Sequence, residues 1–326
     1  MHGNVATTRQ PTLRFHVGAS ANWDAGCATT LVAGTVRLVS KIEEFPLPDA
    51  GPYGITSGAD GALWLTLVNS GEIARMTTDG KVETFPAGPK GRRPTIIAAG
   101  VDNAVWFTRL GDAHLGRITY DGVVSAFPLS DGANPFGICA GPDGAMWFTE
   151  MATDRIGRIT PDGGITHFDI GVQGGFPSMI TTGPDDALWF TLNQANAIGR
   201  IDLDGNVSLH QLPDAGAPVG IAAGPDALWF VDIAAGRVGR LTVDGEVTLY
   251  PLPDPTAKPH AITALPSGDC WLTEWAANRL AHVSATGNIT EHPLPTPSSE
   301  PHGITLGPDG AIWAALEIGS VARIAP

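Results

Sequence analysis

The stretch SSEPHGITLGPDGAIWAALEIGS, residues 298–320, places two carboxylates and an imidazole around one short turn: Glu300, His302 and Glu317. A hairpin folded at GPDG sets Glu300 opposite Glu317, within the one-residue slip that a β-bulge introduces. Two carboxylates that close need a proton or a cation between them, because the second negative charge is costly beside the first. A divalent cation satisfies both, and an all-oxygen site completed by water suits Mg²⁺ better than zinc. His302 lies two residues from Glu300 on an extended strand, so it faces the same way, and an imidazole titrates in the range of a base near neutral pH. Taken singly, each residue has an ordinary explanation: solvated loop acids in an acidic chain, or a histidine that caps a loop carbonyl. Their joint occurrence at one hairpin end is what points to a site.

The element that positions them is one copy of a repeat. Trp64, Trp106, Trp147, Trp189, Trp229, Trp271 and Trp313 recur at spacings of 42, 41, 42, 40, 42 and 42, so seven of the nine tryptophans are one position repeated. A representative copy is NPFGICAGPDGAMWFTEMATDRIGRITPDGGITHF, residues 134–168. It holds a short apolar run, a Gly-Pro-Asp-Gly turn, a second apolar run around the Trp, an IGRIT run, an Asp-Gly turn and a last strand. Asp-Gly supports tight hairpin turns because both residues tolerate positive φ. Four antiparallel strands in a unit of about 40 residues make a propeller blade, whereas solenoids of this period are helical or carry Leu/Asn ladders that are missing here. The expectation is an all-β, seven-bladed β-propeller of four-stranded antiparallel blades.

The last copy ends at VARIAP, residues 321–326, one strand short, and KIEEFPLP at 41–48 supplies the missing strand at the other end of the chain. The ring is therefore expected to close by pairing residues near 41–46 with the last blade, which removes two exposed sheet edges. Residues 1–40 read as a variable or disordered extension and 41–326 as a single propeller domain.

In such a ring, structural positions agree between copies and sites differ. The residue after each blade-opening proline reads Tyr53, Thr95, Phe136, Ser178, Val219, His260 and His302, and all seven should ring one mouth of the central channel. The end of the second strand reads Leu67, Arg109, Glu150, Leu192, Asp232, Glu274 and Leu316, followed by Glu317, which predicts a polar, acidic and asymmetric mouth with histidines on adjacent blades. His114, His167, His210, His282 and His292 have no such company and read as structural or exposed.

Composition narrows the classes further. The 41 Gly and 27 Pro are too many for a helical protein, and 43% apolar content is too high for disorder. A formal net charge of −14 with only 19 Lys and Arg excludes the basic patch that nucleic acid or an anionic membrane would require. Cys27, Cys139 and Cys270 are too few and too scattered for a disulfide scaffold or clustered metal site, which fits a reducing compartment. No apolar run reaches the length of a membrane span, and the first forty residues make a poor secretory signal, so the cytoplasm is the expected location. The GPDG turns lack the strand, helix and lysine of a phosphate loop, and no nucleophile elbow is present.

The repeated PxGIxxGPDGALWFTE…IGRIT pattern, with KPHAI at 258–262, TEWAANRL at 273–280, EPHGI at 300–304 and IWAALE at 312–317, resembles the streptogramin B lyases, also called virginiamycin B lyases, over residues 41–326. The resemblance implies a monomeric propeller that opens the lactone ring of type B streptogramins, small cyclic depsipeptides, by Mg²⁺-dependent elimination without water attacking the ester. The products would be a free carboxylate and a dehydrobutyrine residue. It further implies that Glu300 and Glu317 are metal ligands, His302 the general base and His260 a substrate-contacting residue, with Tyr53 and Trp275 on an apolar wall. The chain departs from the pattern in its forty-residue extension and in a last blade one residue shorter between Trp313 and Arg323. Two other functions fit the same mouth: a lactone hydrolase, in which a metal activates water, and a non-catalytic propeller that grips a peptide or protein.

Overall fold

The computed structural model describes residues 41–89 and 91–325, so the extension expected at residues 1–40 lies outside the described residues. Twenty-eight strands form seven four-stranded antiparallel sheets, with no helix among the described residues. The chain is the expected seven-bladed propeller. Each inner strand opens on a proline, from Pro52–Ser57 in blade one to Pro259–Ala264 in blade six and Pro301–Leu306 in blade seven.

The second strands form the core. Residues of runs such as Leu188–Leu192 are wholly buried, and the repeated tryptophans, at 0–3% exposure, pack between neighbouring blades. Burying an indole of that size removes roughly 200 Å² from water, on the order of 5 kcal/mol as an upper figure. The GPDG turn contributes more than its bend. Asp143 accepts from Trp147 Nε1 at 3.1 Å and from Arg158 Nε at 2.6 Å, and the same Asp–Trp–Arg group recurs at Asp60, Asp102, Asp185 and Asp309. The IGRIT glycine is explained by the second strand: a Cβ on Gly157 would stand 2.0 Å from the ring of Phe148, its partner across the ladder.

A threonine two positions after the tryptophan ties blade to blade. Thr66, Thr108, Thr149, Thr191 and Thr273 each donate to the carbonyl of the mouth residue of the next blade, at 2.6–2.8 Å. Closure follows the sequence reading. Glu43–Pro46 pairs antiparallel with Ser320–Ile324, Phe45 against Val321, and the Phe45 ring lies 5.2 Å from that of Trp313.

Candidate active site

Each blade's inner and second strands slip register just after the opening proline. In blade seven Pro301 pairs with Leu316 but Ile304 pairs with Ala314, so a bulge covers His302 and Gly303. The bulge sets Glu300 level with Glu317, whose N–H donates to the Glu300 carbonyl at 3.1 Å. A shortened turn does the rest. Glu274 and Arg279 of blade six enclose four residues, whereas Leu316 and Ser320 of blade seven enclose three, beginning with Glu317. Glu317 thus takes the backbone place of Trp275, whose N–H donates to Lys258 O at 3.2 Å.

The side chains converge as the sequence predicted. Ligand atoms of Glu300, His302 and Glu317 all lie within 4.8 Å of one another. His302 is buried, Glu300 is exposed, and the Glu317 side chain is 26% exposed. His302 Nε2 stands 2.7 Å from Glu317 Oε2, yet outside hydrogen-bond alignment, so both His302 ring nitrogens lack a hydrogen-bond partner, as does Nδ1 of His260. Orphaned buried nitrogens are rare in folded proteins and ask for a ligand. The His260 ring meets that of His302 edge-on at 4.8 Å, and Tyr53 stacks on His302 at 4.3 Å. Burial pushes His302 down to about 4; burial and then the neighbouring His302 push His260 down to about 3. Both imidazoles are therefore neutral at neutral pH, with lone pairs free. Burial, followed by the charge of Glu317, pushes the Tyr53 hydroxyl up to about 12, so it stays protonated. Beneath them the channel holds a cavity of about 100 Å³ lined by Tyr53, His260 and isoleucines including Ile55, Ile221 and Ile304.

Two carboxylates and an imidazole aimed at one point form a donor set that fits a divalent cation, with Glu300 and Glu317 supplying oxygens. Trp275, 36% exposed, lines a groove with Asn278, Ser298 and Glu300, and Lys258 Nζ lies 5.6 Å from its ring.

The acidic mouth expected from the ends of the second strands needs correction. Glu150, Asp232 and Glu274 are 0% exposed and Arg109 is 3% exposed, and each finds partners in its own blade. Asp232 accepts from the N–H groups of Ala217, Ala234 and Ala235 and from Arg237 Nε, Glu274 pairs with Arg279 at 2.9 Å, and Arg109 pairs with Asp112. The loops after these strands fold over the side chains, so Glu317 is exposed to the mouth where they are not. Sequence reasoning missed Thr273, which donates to His302 O at 2.8 Å and accepts from Ala261 N at 3.0 Å. It holds the two histidine-bearing strands together. Its signal was the threonine found two places after five of the seven repeated tryptophans.

A model of the virginiamycin B lyase family matches residues 40–324. The chain belongs to the virginiamycin B lyase family. Among solved structures, selenomethionine-substituted virginiamycin B lyase from Staphylococcus aureus superposes with a TM-score of 0.85 at 40% identity, over 88% of this chain and 100% of that one. A catalytically inactive histidine-to-alanine variant of the S. aureus lyase with quinupristin superposes equally well, with a TM-score of 0.85 at 41% identity over the same shares. The virginiamycin B lyase of Mycolicibacterium smegmatis is 52% identical over 44 residues, which span 14% of this chain and 16% of that protein.

Proposed function

We propose that this protein inactivates type B streptogramins as a carbon–oxygen lyase, opening the lactone ring at its ester linkage. The observation that carries the reading is the convergence of Glu300, His302 and Glu317 within 4.8 Å at the mouth of a propeller of this family. His302, neutral and with unpartnered nitrogens, removes the proton from the α-carbon of the residue whose β-oxygen forms the ester. The C–H electron pair becomes the α,β double bond, the β-carbon–oxygen bond breaks, and its pair stays on oxygen as a free carboxylate. The product is one linear peptide that carries both the new carboxylate and a dehydrobutyrine residue, with no water consumed. Glu300 and Glu317 would hold Mg²⁺, which when bound supplies Lewis-acid polarisation of the ester carbonyl and counter-charge for the carboxylate. His260 and Tyr53, packed on the base, fix the depsipeptide ring, and Trp275 walls the groove beside Glu300.

A bioassay tests this directly. A type B streptogramin incubated with the wild-type protein and Mg²⁺ should lose its antibacterial potency, and His302→Ala should leave the potency intact. Potency retained after incubation with the wild type would reject the reading and favour a propeller that only binds.

A further inference from the structure

The residue before each blade-opening proline occupies one place repeated around the mouth. Six of the seven share a left-handed backbone: Gly51 at φ 64°, Arg93 at 41°, Asn134 at 47°, Phe176 at 56°, Lys258 at 51° and Glu300 at 51°. Side chains on the same backbone conformation at the same blade position leave the blade in the same direction. Glu300 reaches the mouth from this place, so Arg93 in blade two and Lys258 in blade six project onto the same face. Two cations thus share the face that carries the acidic pair of blade seven, Lys258 from the adjoining blade and Arg93 from beyond blade one, in a chain of net charge −14.

The two cations differ in what already occupies them. Lys258 lies over the Trp275 ring at 5.6 Å. Arg93 is exposed, and among the described residues no carboxylate lies within ion-pair distance of it. Its neighbours Arg92 and Arg109 both use Asp112, Arg92 at 3.9 Å and Arg109 through Nε at 3.0 Å. Blades one and two meet tightly here: a Cβ on Gly54 would stand 2.5 Å from Thr95 O, which brings the start of the strand that follows Arg93, Pro94–Ala99, beside the strand of Tyr53. The charges of Glu317 and Arg93 act on the Tyr53 hydroxyl with opposite signs, Glu317 raising its pKa and Arg93 lowering it.

Ring opening turns a neutral ester into a carboxylate, whose negative charge needs a new partner once it leaves the metal that Glu300 and Glu317 would hold. A guanidinium takes a carboxylate through two parallel hydrogen bonds and holds its charge without gaining or losing a proton. We infer that Arg93 is the receptor for the carboxylate uncovered by ring opening, drawing the freed chain end across Tyr53 and away from Glu300 and Glu317. The inference rests on the lyase reading above. The α-proton resides on His302, the carboxylate carries the single negative charge that the broken bond leaves behind, and Arg93 pairs with that charge.

The test is product inhibition. Linear product prepared with the wild-type enzyme is added to assays of wild type, Arg93→Gln and Arg93→Lys. The inhibition constant should rise about tenfold or more in Arg93→Gln, while KM for the cyclic substrate moves by less than about twofold, and Arg93→Lys, which keeps the charge but not the paired hydrogen bonds, should give an inhibition constant between those of wild type and Arg93→Gln. An unchanged inhibition constant in Arg93→Gln, with the wild type still opening the ring, overturns the inference and leaves the lyase reading standing. Equal shifts of KM and inhibition constant overturn it too, because Arg93 would then touch the whole depsipeptide. Failure of the wild type to open the ring would overturn both readings.

Discussion

At the residue scale, the candidate site asks two things of its side chains: a converging pair of oxygens and a neutral base. Glu300→Gln and Glu317→Gln each remove one charge from the pair, so calorimetric Mg²⁺ titration should show affinity falling by about 100-fold. His302→Ala should lower kcat by about 100-fold or more with KM nearly unchanged, because the base acts in the transition state and not in ground-state binding. Thr273→Val should cost about 1 kcal/mol in denaturant unfolding and lower kcat while leaving Mg²⁺ affinity intact, since the hydroxyl holds the His302 backbone and touches neither acid. The meeting of Glu300, His302 and Glu317 was legible because the hairpin turn sets the Glu-x-His stretch opposite the late Glu; the bulge at His302 and Gly303 and the left-handed backbone of Glu300 that complete it were not. Thr273 was not legible, because a threonine repeated in strands also reads as plain β-propensity, and its acceptor belongs to the next blade.

At the element scale, the inner strands carry the placement. A Cβ on Gly303 would stand 2.7 Å from Tyr53 O, so blades seven and one approach more closely than any side chain permits. Gly303→Ala should lower the melting temperature and also spread Tyr53 from His302, with loss of turnover beyond what stability explains. The buried ends of the second strands give a different signature. Burial, followed by the charge of Glu291, pushes Glu274 up to about 7, against the pull of Arg279. Between the unfolded glutamate range and about 7 the folded state binds the extra proton, so stability declines as pH rises through that window, by at most about 3 kcal/mol. Melting temperatures of Glu274→Gln measured across the same window should show a flatter profile than wild type. Strand alternation told which face these acids take, which is why they were read as lining the mouth. It carries no information about the loops that close over them.

At the scale of the whole molecule, the ring was the most legible feature, because seven tryptophans at near-constant spacing specify both the repeat and its number. Closure was legible for the same reason: a last copy one strand short and a spare strand at residues 41–48. Deleting residues through 50 removes Glu43–Pro46, the Phe45 contact with Trp313 and the Glu44 acceptor of Thr296 N–H. Such a chain should unfold over a broad, low-temperature transition and aggregate through the bared edge of Ser320–Ile324. The presence of two cations on the face of the acidic pair was less legible, because it depends on backbone conformations that recur only once the blades are superposed.

Elimination at the mouth and hydrolysis there differ by one water in the mass of the product. A type B streptogramin would be incubated with purified protein, with and without Mg²⁺ and beside His302→Ala, and analysed by mass spectrometry. A linear product of unchanged mass should appear only with both the metal and His302. A product heavier by one water would instead make the protein a hydrolase, and an intact antibiotic in every arm would rule out streptogramin lyase activity and leave a related cyclic ester or a binding role.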